Sequence, residues 1–186
     1  MRIIGGSLKS RSINFVKSLN TRPLKDKVRE SIFNILKHSN YIKTKIENAI
    51  ILDLYSGIGS FGIECISRGA RKVIFIEHDK NAIDILEGNI TKLKINKNST
   101  IHNNKVEKFL KKKIKEKFDI FFFDPPFSDT TFLQNLVSIK KGRIFNKDHI
   151  VIIHREQIYK DEFKDLLKII DIKQYGRSKI LFGEFK

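Results

Sequence analysis

Cysteine is almost missing: Cys65 stands alone in 186 residues. That excludes an intramolecular disulfide and any thiolate zinc cluster within the chain, and it suits a reducing compartment. Long apolar runs are missing too. The longest, in the Phe120s and Ile150s, hold a handful of residues against the ~20 that a bilayer-spanning helix needs, so no membrane span is expected. No apolar stretch of signal-peptide length follows the opening Met1-Arg2-Ile3-Ile4-Gly5-Gly6, and a cytoplasmic protein is expected. The five histidines, His38, His78, His102, His149 and His154, show no metal-ligand spacing, so no metal site is expected. With no repeat and no Pro/Gly/Ser-rich linker, residues 1–186 are expected to form one domain.

Acidic residues are scarce beside basic ones, 21 Asp plus Glu against 37 Lys plus Arg, a net charge of +16. Such a charge suits a polyanionic partner. A lysine-rich composition from an AT-rich genome is the plain alternative, but it would not place +9 of that charge in residues 1–45. Arg2, Lys9, Arg11 and Arg22 are the candidate phosphate contacts there. Arg22 and Arg29 read as exposed cations. The run from Lys105 to Lys117 reads as the solvated face of an amphipathic helix.

The order of elements predicts a fold. Residues 1–20 are compatible with a small hairpin, and Val28, Ile32, Ile35 and Leu36 fall at helical spacing on a helix that exposes Lys25, Lys27, Arg29 and Lys37. Strands are expected at 49–55, 72–77, 100–103, 118–123, 149–154, 169–175 and 179–185, with helices between them at 61–68, 82–93, 106–114, 132–137 and 163–167. Strands alternating with helices imply a doubly wound, mostly parallel, seven-stranded α/β sheet closed by a hairpin about Gly176. Residues 1–45, a hairpin plus a helix, then form a basic extension on a catalytic core of 46–186.

Gly57-Ile58-Gly59-Ser60-Phe61-Gly62 satisfies G-x-G-x-x-G between an expected strand and an expected helix. Glycine there lets backbone approach a ligand, and the helix start offers N–H groups. Glu77 ends the next strand, where an acid can bind ribose hydroxyls. NAD and S-adenosylmethionine both fit this pattern. Asp53, four residues before Gly57, favours the second: an acid beside the turn repels a pyrophosphate and attracts a cationic amino end. A turn cap and a tight strand-helix connection are the plain readings of Asp53 and the glycines.

Asp124-Pro125-Pro126-Phe127 follows the strand FDIFFF, which places Asp124 in the crevice where open α/β sheets bind ligands. The prolines fix φ, so their carbonyls and the Asp124 carboxylate can present a rigid acceptor array to an exocyclic amine. Phe127 offers a face on which an extruded base can stack. A proline-rich turn capped by Asp is the alternative.

Together these segments resemble the RsmD-type family of bacterial 16S rRNA guanine-N2 methyltransferases over nearly the whole chain. The resemblance rests on Arg2 to Gly6 with Arg11; Thr21-Arg22-Pro23 with Asp26, Val28-Arg29-Glu30 and Phe33-Asn34; Asp53 to Gly62; Ser67 to Ala70; Glu77 with Asp79; Asn89; Asp124 to Phe127; and Tyr175-Gly176. It implies a class I, Rossmann-like fold, S-adenosylmethionine as donor, and a guanine of 16S rRNA in a partly assembled small subunit as acceptor. It further implies that Asp53, Tyr55, Gly57 and Gly59 line the cofactor, Glu77 holds its ribose, and Asp124, Pro125, Pro126 and Phe127 hold the base. Where the family often has an Asp after its third strand to meet the adenine, this chain reads His102-Asn103-Asn104-Lys105, and Asn104 is the candidate. A DNA adenine-N6 methyltransferase and a catalytically idle RNA-binding protein are the competing readings.

Overall fold

Strands buried on both faces read as unbroken apolar runs, and β-branched and aromatic side chains fill them here. The computed structural model describes residues 1–15, 24–126, 128–163 and 165–186. The elements are α1 (Asp26–His38), β1 (Ile50–Leu54), α2 (Ser60–Ser67), β2 (Lys72–Glu77), α3 (Lys80–Leu93), β3 (Ser99–Asn103), α4 (Val106–Leu110), β4 (Phe118–Phe123), α5 (Phe132–Gly142), β5 (Phe145–Glu156), β6 (Leu167–Tyr175) and β7 (Ser178–Phe185). The seven strands form one sheet in the order β3-β2-β1-β4-β5-β7-β6. It is parallel from β3 to β5, and β7 runs antiparallel to both β5 and β6.

The pleat splits each strand between two cores. Ile51, Phe75, Phe122 and Ile152 pack with Ile32, Phe33, Phe61 and Leu86 of α1, α2 and α3. Leu52, Ile74, Phe121 and Val151 pack instead with Phe109 of α4 and Phe132, Leu136 and Ile139 of α5. Helices therefore cover both faces, as a doubly wound sheet requires. On the first face the rings of Phe33, Phe61 and Phe122 stack in series, with centroids 5.3 and 4.0 Å apart.

The amino-terminal segment turns back on itself through an antiparallel bridge between Arg2 and Ser12. Glu64 of α2, fully buried, then clasps it: Ile4 N–H and Gly5 N–H each donate to its carboxylate at 2.8 Å. Arg68 Nε donates to the same carboxylate at 2.8 Å. Ser67 adds Oγ as an acceptor for Leu8 N–H at 3.0 Å.

Four expectations need correction. Arg29 is not exposed but wholly buried, donating to Arg2 C=O at 2.6 Å and to Asp26 Oδ1 at 2.9 Å. Burial works against its charge, and the Glu64 and Asp26 carboxylates favour it. The lysine run does not lie along a helix, because α4 ends at Leu110. Lys111, Lys112 and Lys113 come next, all exposed, and in a longer helix the like-charge pairs Lys108–Lys112, Lys111–Lys115 and Lys113–Lys117, four residues apart, would outweigh the opposite pairs Glu107–Lys111 and Lys112–Glu116. No helix occupies the described residues of 163–167; Leu166 N–H and Leu167 N–H close a turn on Phe163 C=O, and the chain passes at once into β6. β5 begins at Phe145, four residues earlier than expected, and Phe145 pairs with Phe118 of β4.

Glu64→Ala is expected to lower the unfolding free energy by about 3 to 5 kcal/mol, because two backbone donors and the Arg68 guanidinium lose their shared carboxylate and the buried Arg29 loses a nearby opposite charge. Urea unfolding of parent and variant measures it; an unchanged midpoint would show that the clasp adds nothing.

Candidate functional site

The strand order reverses at β1, which pairs with β2 on one side and β4 on the other. In such sheets the crevice lies outside the carboxyl ends at that switch point. The parallel registers Leu54↔Ile76 and Leu54↔Phe123 bring three strand ends level. Each end carries an acid or a turn: the glycine turn after β1, Glu77 closing β2, and Asp124 after β4.

Asp53 is 1% exposed. Its Oδ2 accepts from Gly62 N–H of α2 at 3.0 Å, while its Oδ1 is buried without a hydrogen-bond partner among the described residues. Burial pushes its carboxyl well above the usual range, against the Gly62 hydrogen bond, and the nearby Asp124 and Glu77 carboxylates push it further. An orphaned buried acceptor flanked by two more acids is a place for a cationic hydrogen-bond donor. The amino group of S-adenosylmethionine fits that description, so the residues present suit the cofactor that the sequence implies.

The turn is shaped by backbone that L side chains rarely adopt. Tyr55, Gly57 and Gly59 have φ values of 60, 53 and 79°. A Cβ on Gly57 would meet nothing within 4 Å, so backbone there borders open space, whereas one on Gly59 would lie 2.3 Å from Leu86. Gly62 serves packing, since a Cβ there would lie 2.3 Å from the Phe75 ring of β2. Glu77 holds the turn from the next strand. Its Oε2 accepts from Gly57 N–H at 2.8 Å, and its Oε1 accepts from His78 N–H at 2.7 Å and Asp79 N–H at 2.9 Å. Asn104 stands one residue beyond the Glu77↔Asn103 register pair, its N–H on Glu77 C=O at 2.9 Å. The Tyr55 hydroxyl points to α5, accepting from Asn135 Nδ2 at 2.8 Å.

At the end of β4, Asp124 Oδ1 lies 2.8 Å from His154 Nδ1. Pro126 C=O accepts twice within the protein, from Asp129 N–H at 2.8 Å and from Arg155 Nη1 at 3.3 Å. Its two lone pairs are thus engaged, which corrects the expectation that both proline carbonyls face a ligand: the array reduces to the Asp124 carboxylate and Pro125 C=O. Phe127 and Arg22 lie outside the described residues, as does the Thr21-Arg22-Pro23 segment. Arg2, Lys9 and Arg11 are exposed on the amino-terminal turn rather than in the crevice.

Residues 1–184 match a family model described as "Conserved hypothetical protein 95". Ribosomal RNA small subunit methyltransferase D of Buchnera aphidicola is 33% identical over 156 residues, covering 84% of this chain and 76% of that protein. The chain belongs to the RsmD-type methyltransferase family. Bacillus subtilis YlbH is similar to the same degree, 33% identical over 159 residues, 84% of this chain and 83% of that one. Among solved structures, Escherichia coli yhhF superposes with a TM-score of 0.83 at 24% identity, over 100% of this chain and 98% of its own. The fold is that of the class I S-adenosylmethionine-dependent methyltransferases.

The sequence assigns no role to His154, Arg155 or Asn135, and it counts Asn89 only among the residues of the family resemblance. Asn89 of α3, fully buried, accepts from Asn14 N–H at 2.7 Å and donates through Nδ2 to Asn14 C=O at 3.1 Å and Ile58 C=O at 3.5 Å. It joins the amino-terminal segment to the glycine turn. His154 had one available signal: it closes an expected strand next to Asp124's, at the end of the sheet where chemistry gathers.

An acid whose carboxyl is raised by folding binds its proton more tightly in the folded chain, so stability falls as pH rises from the ordinary value near 3.8 toward the folded one. Asp53→Asn keeps an acceptor for Gly62 and removes that loss. The variant is expected to melt higher than the ligand-free parent at neutral pH, with the gap closing below about pH 4. A gap that does not vary with pH would sink this account of Asp53.

Proposed function

We propose that this protein transfers the methyl group of S-adenosylmethionine to the N2 amino group of a guanine in 16S rRNA, within a partly assembled small ribosomal subunit. The observation that carries the reading is the juxtaposition at the switch point of a buried, unsatisfied acid beside a glycine turn with an Asp-Pro-Pro acceptor array one strand away. The relatives named as rRNA small subunit methyltransferases support the acceptor class. The cofactor supplies an electrophilic methyl on a sulfonium.

In this reading Asp53 receives the ammonium end through Oδ1. Glu77 has three of its roughly four lone-pair sites filled by backbone N–H groups, so a ribose hydroxyl meets a carboxylate whose orientation is already set. Asp124 Oδ2 and Pro125 C=O accept from the two amine hydrogens, which favours the pyramidal nitrogen whose lone pair attacks. The bound cofactor would supply the methyl and keep the C–S electron pair on its sulfur, and Asp124 stands where the surplus amine proton would leave along its hydrogen bond to Oδ2. Arg2, Lys9, Arg11 and Arg22 contact RNA phosphates, which position without reading sequence.

Calorimetry with S-adenosylmethionine and with NAD tests the cofactor; binding of NAD alone would overturn the reading. Asp124→Ala is expected to reduce methyl transfer by at least about 100-fold, with cofactor affinity kept. Nucleoside analysis of treated small-subunit particles should find N2-methylguanine, and methyladenine would refute the acceptor.

Replacing Arg2, Lys9 and Arg11 by Gln should lower affinity for those particles and flatten the dependence of log K on log salt by about 2 to 3. S-adenosylmethionine binding should not change. An unaltered slope would mean that this charge is only solvated.

A further inference from the structure

We propose that His154 and Arg155, consecutive at the carboxyl end of β5, are positioning residues that hold Asp124-Pro125-Pro126 in the geometry that receives the target amine. The inference rests on the methyl-transfer reading above. The register Phe123↔Ile153 between parallel β4 and β5 puts Asp124 and His154 side by side. His154 is also paired with Ile180 of β7, so its backbone is fixed from both sides. Its ring is 11% exposed and its Nδ1 lies 2.8 Å from Asp124 Oδ1. A carboxylate oxygen only accepts, so the proton sits on Nδ1. One Asp124 oxygen is thereby held, and Oδ2 is aimed for the amine.

Arg155 fixes the other end of the turn. It is wholly buried, with Nε and Nη2 on the two Asp161 oxygens at 3.1 and 3.3 Å. Its guanidinium carbon lies 4.6 Å from the Phe132 ring centroid and 4.8 Å from that of Tyr159. Sandwiched and forked, it has one orientation, and Nη1 meets Pro126 C=O at 3.3 Å. Such preorganisation matters because small misplacements of reacting groups are costly.

The test uses the full-length protein on small-subunit particles. His154→Leu should lower kcat roughly 10- to 100-fold while KM for the particle and the cofactor Kd stay at parental values. His154→Asn, whose amide nitrogen stands near the Nδ1 position, should recover most of the rate. His154→Gln, whose amide stands near the Nε2 position instead, should remain slow, and this pair decides the matter even where the Leu variant does not fold. Parental kcat in His154→Leu or His154→Gln, or an Asn variant as slow as Gln, overturns the inference alone. A parent that transfers no methyl group overturns the underlying reading, and the inference with it.

Discussion

The parallel register of β1 with β2 on one side and β4 on the other is the constraint on which the crevice depends. Side chains alternate along a strand, so a slip of one residue would turn the apolar face of β1 toward the wrong core. Ile51 and Leu52 belong to opposite cores, and a slip would misplace both. The register is therefore held by burial, and the level strand ends come with it. Asp53, Glu77 and Asp124 need no mutual attraction to be near one another; the carboxylates of Glu77 and Asp124 in fact make the charge on Asp53 harder to hold.

Helix α2 carries that constraint outward. Its first turn takes the Asp53 hydrogen bond at Gly62, and its middle holds Glu64, which binds the amino-terminal segment and Arg68. One helix of eight residues thus joins the glycine turn to the basic amino-terminal segment. Asn89 makes a second connection, from Asn14 to Ile58. Both joints use fully buried polar side chains, whose hydrogen bonds must be kept because a lost partner leaves the full cost of desolvation.

The alternation of strands and helices was legible because each strand is an apolar run bounded by turn residues, and the glycine turn and Asp-Pro-Pro segment were legible because they combine rare residue types at strand ends. Side-chain partnership was not. Arg29 reads as one more cation on a helix that exposes Lys25, Lys27 and Lys37, yet it is buried against Arg2 C=O, 27 positions away in the chain, and the Glu64 carboxylate favours its charge. Pro126 reads as an acceptor until Arg155 and Asp129 are seen to occupy it. The lysines after Leu110 carried a helical pattern of Val106, Phe109, Leu110 and Ile114, but repulsion among neighbouring charges opposed its last turns. Periodicity reports where apolar residues fall; it does not report which charges meet.

The distribution of charge separates two tasks. The chain is strongly basic, +16 overall, yet the crevice gathers three acids in a row of strand ends. A basic exterior raises the local concentration of a polyanion and orients its approach. An acidic, half-dry interior does the reverse: it repels phosphate and rewards a cation or an amine that donates hydrogen bonds. On the proposed reading, a nucleic acid brought by the exterior enters the crevice by its bases, with its backbone left outside. Under the proposed reading, that division puts specificity in the few acceptors at the ends of β1 and β4, of which Asp53 is held by Gly62 N–H and Asp124 by His154, while Arg2, Lys9 and Arg11 stand in solvent.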